Sequence, residues 1–121
     1  MAAPKKSDQD ALVVVTTVGS EEQARSIAEA LVEQRLAACV NILPSVRSIY
    51  RWKGKLWDDE ELLLVIKTTA GRFQALRAAI QRLHSYELPE ILALAVADSD
   101  PAVLAWLTSA VGEAPGDPFS G

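Results

Sequence analysis

The feature that most constrains this fold is a pair of long strand patterns separated by Lys53 and Gly54. The first pattern covers residues 39–52 and the second covers residues 56–68. Glycine tolerates the positive φ that two-residue hairpin turns demand, so the two patterns predict a long antiparallel hairpin. Pro44 has no amide hydrogen to donate, and it predicts a break or bulge within the first strand.

The hairpin turn also predicts which residues face each other across the two strands. It places Tyr50 opposite Trp57 and Arg47 opposite Glu60. An aromatic pair and an oppositely charged pair are both favourable cross-strand neighbours. Two independent pairs therefore support one register.

Strand and helix patterns alternate through the rest of the chain. Residues 12–18 form an apolar, β-branched run typical of a buried strand. Ser20 and Gln23 have capping-box spacing, and apolar residues then recur at helical spacing to about Arg35. The remaining predicted elements are a helix at residues 73–83, a strand at residues 91–97, and a short helix from Asp100 as N-cap to Gly112.

The element order is β-α-β-β-α-β followed by a short C-terminal helix, which is the split βαβ arrangement. It predicts an α+β fold, a ferredoxin-like sandwich in which two helices cover one face of a four-stranded antiparallel sheet. We assign this domain to residues 11–112. Residues 1–10 and 113–121 are rich in Pro, Gly, Ser, Lys and Asp and have no apolar period, so we expect two disordered tails.

One face of the predicted sheet has no helix to cover it. Residues 62–66 are apolar at every position, and both hairpin strands carry further apolar side chains. Strands that are apolar on both sides need a covering layer on both sides. A second copy of the same chain is the economical source of that layer, and we therefore predict a homo-oligomer.

Composition argues against several classes of partner. The net charge is −4 and the Lys and Arg residues are scattered, so the basic surface that a phosphate backbone requires is missing and no nucleic-acid partner is expected. No apolar run approaches the roughly 20 residues that span a bilayer, so no membrane association is expected. Cys39 is the single cysteine and cannot form an internal disulfide, which fits a reducing compartment. We expect the protein in the cytoplasm.

Cys39 and an acidic run are two candidate sites, and each has a structural alternative. Cys39 lies in an apolar strand, where a cysteine behaves as a small hydrophobe unless a neighbouring base or cation activates it. Residues 58–61 are four consecutive acidic residues in a hairpin strand, so two carboxylates point to each face. A solvated edge, or pairing with Arg47 and Arg51, competes there with a cation site.

Residues 84–90 form the third candidate site. They place an imidazole, a phenol and two carboxylates on a short turn after a helix, and such loops often carry function. The structural alternative is that His84 complements the C-terminus of that helix and Pro89 orients the next strand. The sequence contains no glycine-rich phosphate loop, zinc spacing or nucleophile motif. We therefore expect a binding protein rather than an enzyme, with no catalytic residues.

Four sequence blocks resemble the CutA family of divalent-cation tolerance proteins. They are LAACVNI at residues 36–42, SIYRWKGK at 48–55, ELLLVIKT at 61–68 and HSYELPEI at 84–91. The resemblance covers residues 12–111. It implies a ferredoxin-like homotrimer in which three sheets pack around a common axis and the long hairpins bridge neighbours. It also implies a role in tolerance to divalent metals, copper especially, and binding of copper or another divalent cation.

The leading hypothesis from this resemblance is a trimer that binds a metal ion or a small ligand at subunit junctions. The ligand-binding residues would be Trp52, Lys67, Tyr86 and Glu90, and the metal ligands would be His84 and Cys39. An alternative is a trimeric signalling module similar to the PII proteins, although the sequence has no phosphate-cradling loop. An acylphosphatase-like enzyme is a third reading of the same fold, but no arginine lies in a glycine-rich loop after the first strand.

The chain also departs from the family pattern at three positions. Some bacterial relatives carry a cysteine at the end of the first strand and a second histidine beside the first, and Thr17 and Leu83 occupy those positions here. The family motif commonly reads His-Pro-Tyr-Glu, and Ser85 replaces its proline. We expect weak copper binding through His84 and a looser turn at Ser85.

Overall fold

A computed structural model describes residues 7–112 of the chain. Its elements are β1 (Ala11–Val18), α1 (Glu21–Glu33), β2 (Cys39–Trp52), β3 (Lys55–Thr69), a short 3-10 turn (Ala70–Arg72), α2 (Phe73–Leu83), β4 (Leu92–Ala95) and α3 (Pro101–Val111). The four strands form one antiparallel sheet in the order β2-β3-β1-β4. This order and the helix positions confirm the predicted α+β, ferredoxin-like fold.

The hairpin register is confirmed at both predicted pairs. Tyr50 lies opposite Trp57, and Arg47 lies opposite Glu60. The register shifts between Leu43 and Val46, where the sequence predicted a break at Pro44. Ser45 absorbs the extra length with a φ of 60°, a conformation that costs a side-chain-bearing residue more than glycine.

The core lies between the sheet and the first two helices. Alternate residues of β1 are buried while their neighbours are only half-buried, as expected for a strand with one face against helices. The fully buried residues of α1 and α2 include Ile27, Leu31, Leu76 and Ile80. Each such side chain contributes roughly 1.5–3 kcal/mol by leaving water. These two helices cover one face of the sheet, and α3 also contacts β3 and β1.

The C-terminus of α1 and the length of β4 differ from the predictions. Helix α1 ends at Glu33 rather than near Arg35, because Arg35 takes a φ of 58° and the amide of Leu36 bonds back to the carbonyl of Leu31. Strand β4 covers Leu92–Ala95 rather than residues 91–97, and one further hydrogen bond beyond its end joins the amide of Val96 to the carbonyl of Ala11 at 3.3 Å.

The open face of the sheet carries exposed apolar side chains. Leu43, Leu92 and Leu94 are 42%, 55% and 52% exposed. Leu92 pairs with Val15, and Leu94 pairs with Val13, so these residues share one face of the sheet. A single chain therefore leaves apolar surface exposed on this face, although the predicted run at residues 62–66 is itself buried or half-buried.

Four residues of the predicted N-terminal tail form a turn. The carbonyls of Asp8 and Asp10 accept hydrogen bonds from Gly71 and Ala70 at 2.9 and 2.8 Å. The remaining tail residues, 1–6 and 113–121, lie outside the described residues. None of the helices within residues 7–112 is long and apolar enough to cross a membrane.

Candidate functional site

His84 is held by two hydrogen bonds at the junction of α2 and the segment that follows it. Its Nε2 lies 2.7 Å from the carbonyl oxygen of Thr17 at the end of β1, and its Nδ1 lies 3.1 Å from the amide nitrogen of Tyr86. A carbonyl can only accept and an amide can only donate, so in this arrangement Nε2 donates to Thr17 and Nδ1 accepts from Tyr86. Both ring nitrogens are therefore engaged, and a metal ion would have to displace one of these partners.

The structural alternative proposed that His84 complements the C-terminus of its own helix. The ring, however, does not bond the free carbonyls there. It is the C-cap residue of α2 by its backbone, with its amide bonded to Ile80, while its ring reaches across to β1. Thr17 occupies the position at the end of the first strand where some bacterial relatives carry a cysteine. Its contact with His84 shows that this position lies beside the imidazole. In this chain that neighbour offers a backbone oxygen rather than a thiol.

Tyr86 joins the segment to β3 through a buried carboxylate. Its hydroxyl donates to Oε2 of Glu61 at 2.7 Å, and Glu61 is only 6% exposed. Partial burial, followed by the hydrogen bond to Glu61, raises the pKa of Tyr86 well above its usual range. A Cβ on Gly19 would lie 3.1 Å from the Tyr86 hydroxyl, so the glycine leaves room for this contact.

The acidic run divides between the two faces of β3, as the alternation predicted. Asp58 forms an exposed ion pair with Arg47 at 2.8 Å. On the other face, Asp59 accepts a hydrogen bond from Tyr50, and this bond raises the pKa of Tyr50 to about 12. Asp59 and Glu61 thus each have a tyrosine partner. Within residues 7–112, no three His, Cys, Asp or Glu residues cluster in a way that could hold a metal ion.

The tip of the hairpin reaches the segment at residues 84–90. Lys53 lies 3.2 Å from a carboxylate oxygen of Glu87, which brings the neighbouring Trp52 to this end of the molecule. The indole of Trp57 donates to the backbone oxygen of Trp52 at 3.0 Å and stacks on Tyr50 with centroids 6.5 Å apart. Tyr50 and Trp57 therefore pack on each other within a single chain.

The two proposed metal ligands do not meet in one chain. Cys39 pairs with Lys67 across β2 and β3, and Lys67 pairs with Val13 of β1. His84 contacts Thr17 instead, and the step from Val13 to Thr17 covers about 13 Å at about 3.3 Å per residue. The predicted site residues thus form two groups: Cys39 with Lys67, and His84 with Tyr86 near the tip that carries Trp52. Glu90 is the exposed last residue of the segment, just before β4.

Gln23 is a site residue that the sequence argument used only as a helix cap. The Ser20 hydroxyl accepts from the Gln23 amide as predicted, at 3.1 Å. The side chain of Gln23, however, accepts from the Ser85 amide at 2.8 Å and donates to the Leu83 carbonyl at 3.3 Å. The turn that we expected to be loose at Ser85 is therefore tied to α1 by a hydrogen bond that a proline could not make.

Comparison with known proteins gives a consistent result. The family model of the CutA1 divalent ion tolerance protein matches residues 12–110. The Divalent-cation tolerance protein CutA of Thermus thermophilus is 53% identical over 100 residues, which are 83% of this chain and 97% of that protein. Protein CutA of Mus musculus is 45% identical over 91 residues, 75% of this chain but only 51% of the mouse protein.

Solved structures agree with the sequence comparisons. The divalent cation tolerance protein Cut A1 from Thermus thermophilus aligns with a TM-score of 0.79 and 54% identity, over 80% of this chain and 94% of that one. CutA1 from Oryza sativa aligns with a TM-score of 0.83 and 36% identity, over 87% of this chain and 96% of that one. On these matches, the chain belongs to the CutA1 family of divalent ion tolerance proteins.

Proposed function

We propose that this protein is a homotrimer that acts in divalent-cation tolerance and binds a metal ion or small ligand where its subunits meet. One observation carries the proposal. The predicted site residues lie in two groups that do not meet within one chain, and Leu43, Leu92 and Leu94 leave the sheet uncovered nearby. A neighbouring chain that covers this surface can bring one group against the other. The contact between subunits would then hold the trimer together and also form the binding site.

The two groups are chemically complementary to a small anionic or aromatic ligand. Lys67 offers a half-buried ammonium, and Trp52 offers a ring. Tyr86 offers a hydroxyl already fixed by Glu61, and Glu90 offers an exposed carboxylate. A few placed polar groups beside apolar surface are what small-molecule sites require. We propose binding rather than catalysis, because the sequence carries no nucleophile motif.

A metal ion is the second form of ligand in the proposal, with His84 and Cys39 as the ligands to test. Copper at His84 would replace one of two existing hydrogen bonds, so we expect weak Cu²⁺ affinity. The test is calorimetric titration of Cu²⁺ into wild type, His84→Ala and Cys39→Ser. Affinity that falls in either variant supports these ligands. Tight binding that survives both substitutions would contradict them and direct attention to the carboxylates.

The decisive experiment measures the oligomeric state and the bound ligand in the same sample. Untagged protein is purified from its own cells, its mass is measured by light scattering at micromolar concentration, and its metal and small-molecule content is measured by mass spectrometry. A trimer with at least one copper per trimer supports the metal form, and a trimer with a bound metabolite supports the ligand form. A nucleotide would favour the PII-like alternative. A monomer would overturn the proposal.

We also propose a cytoplasmic location, since Cys39 is the single cysteine and needs no oxidising compartment. The names of relatives vary here: one from Arabidopsis thaliana is chloroplastic and one from Archaeoglobus fulgidus is periplasmic. Fractionation of the native cells, followed by detection of the protein with an antibody, tests the location directly.

A further inference from the structure

The segment after α2 is attached to the rest of the domain by a small number of polar contacts. His84 is buried, but Ser85, Tyr86, Glu87 and Leu88 that follow it are exposed. Such a segment would sample several conformations unless its backbone were held. Four hydrogen bonds order it at the His84 end, two made by the His84 ring and two made by the side chain of Gln23.

The side chain of Gln23 hydrogen-bonds the backbone on both sides of His84. Its Oε1 accepts from the amide of Ser85 at 2.8 Å, and its Nε2 donates to the carbonyl of Leu83 at 3.3 Å. These two backbone groups flank His84, so one side-chain amide fixes the chain on either side of the imidazole. Gln23 is itself fixed, because its backbone amide donates to Ser20 in the first turn of α1.

The next contact in the series sets the direction of Tyr86. The amide of Tyr86 donates to Nδ1 of His84 at 3.1 Å, and the two rings lie 4.6 Å apart. The Tyr86 hydroxyl then reaches Glu61 at 2.7 Å. A continuous series of contacts therefore runs from α1 through the turn to the carboxylate on β3.

We propose that Gln23 is a positioning residue that clamps the His84–Tyr86 turn onto α1 and so directs the Tyr86 hydroxyl at Glu61. The clamp performs the task that a proline at position 85 would perform by fixing φ. His84 has φ −79° and ψ 142°, which is the extended conformation that a residue before proline requires. A proline at position 85 is therefore compatible with the residue before it, and it should make the clamp unnecessary.

The inference concerns the same segment as the proposed function, but its test needs neither ligand nor metal. Failure of one therefore leaves the other standing. The principal variant is Gln23→Met, which keeps an unbranched side chain of similar length and removes both hydrogen bonds. The matched control is Gln81→Met, at an exposed position on α2. Circular dichroism establishes that each variant is folded.

The first measurement is amide hydrogen exchange at Ser85. A hydrogen bond worth about 1 kcal/mol corresponds to a change of about fivefold, so exchange should be about fivefold faster in Gln23→Met. Gln81→Met should exchange like wild type. Gln23→Glu keeps an acceptor for Ser85 and loses the donor to Leu83, so its Ser85 exchange should stay close to wild type. Ser85 exchange in Gln23→Met that stays at the wild-type rate would show that the contact is packing alone and would overturn the clamp.

The second measurement follows Tyr86 itself. Tyr86→Phe removes the hydroxyl that bonds Glu61, and the resulting drop in the urea midpoint reports how well that hydrogen bond is made in each background. The drop should be smaller in Gln23→Met than in wild type, and adding Ser85→Pro to Gln23→Met should restore it. A drop of the same size in wild type and in folded Gln23→Met would overturn the proposal.

Discussion

Tyr86→Phe removes one oxygen atom and leaves the carboxylate of Glu61 buried without its partner. Glu61 is 6% exposed, and among the described residues the Tyr86 hydroxyl is the side chain that hydrogen-bonds it. A hydrogen bond to a charged group is worth about 1.5–3 kcal/mol, and leaving such a group unsatisfied costs more than replacing both partners. Tyr86 is 38% exposed, so water can partly replace its hydroxyl. We expect a loss of about 2 kcal/mol in the free energy of unfolding.

The assay is urea unfolding followed by circular dichroism, at one protein concentration and with the assembly state checked by light scattering. With a slope of about 2 kcal/mol per molar urea, the expected loss lowers the midpoint by about 1 M. The control is Tyr50→Phe, whose hydrogen bond to Asp59 lies at the surface. It should change stability by less than about 0.5 kcal/mol.

A double-mutant cycle identifies the partner of Tyr86. In the Glu61→Gln background the acceptor is neutral, so Tyr86→Phe should cost only about 1 kcal/mol. The same cost in both backgrounds would mean that Tyr86 stabilises the protein through packing and not through Glu61. A cost no larger than that of Tyr50→Phe would refute the reasoning altogether.

Three further predictions concern other parts of the molecule. Thr16→Val should raise the free energy of unfolding by about 1 kcal/mol in urea, because the fully buried Thr16 hydroxyl has no hydrogen-bond partner within residues 7–112; a loss of stability would contradict this. The pKa of Tyr86 is raised in the folded protein, so its stabilising effect should be complete below pH 10 and decline above it. The difference in unfolding free energy between wild type and Tyr86→Phe should therefore narrow as pH rises from 10 to 11. A difference that stays constant over this range would contradict the prediction. If the hairpin holds the proposed trimer together, Trp52→Ala combined with Trp57→Ala should shift the protein towards monomer in light scattering while circular dichroism still reports an α+β domain. A trimer at nanomolar concentration with an unchanged melting temperature would show that the hairpin does not have this role.

The sequence by itself determined the elements whose causes are local. Lys53 and Gly54 fixed the hairpin turn, and with it the pairing of Tyr50 with Trp57. The caps of the helices were also local: Ser20 accepts from Gln23, and Asp100 accepts from Ala102 at 2.8 Å. In each case the interacting residues lie close in sequence or on strands joined by a two-residue turn, so spacing alone specifies their geometry.

The tertiary structure decided which side chains meet across the fold. Thr17 and His84 lie 67 residues apart in sequence, Gln23 and Ser85 lie 62 apart, and Glu61 and Tyr86 lie 25 apart. No periodicity relates such positions, because the contacts depend on how α1 and α2 pack on the sheet. The same packing separates Cys39 from His84. The sequence proposed these two residues together only because their side chains are soft or borderline metal ligands. Local patterns specify elements, whereas a site needs the relative placement of elements, and that placement is fixed by burial of the core between them.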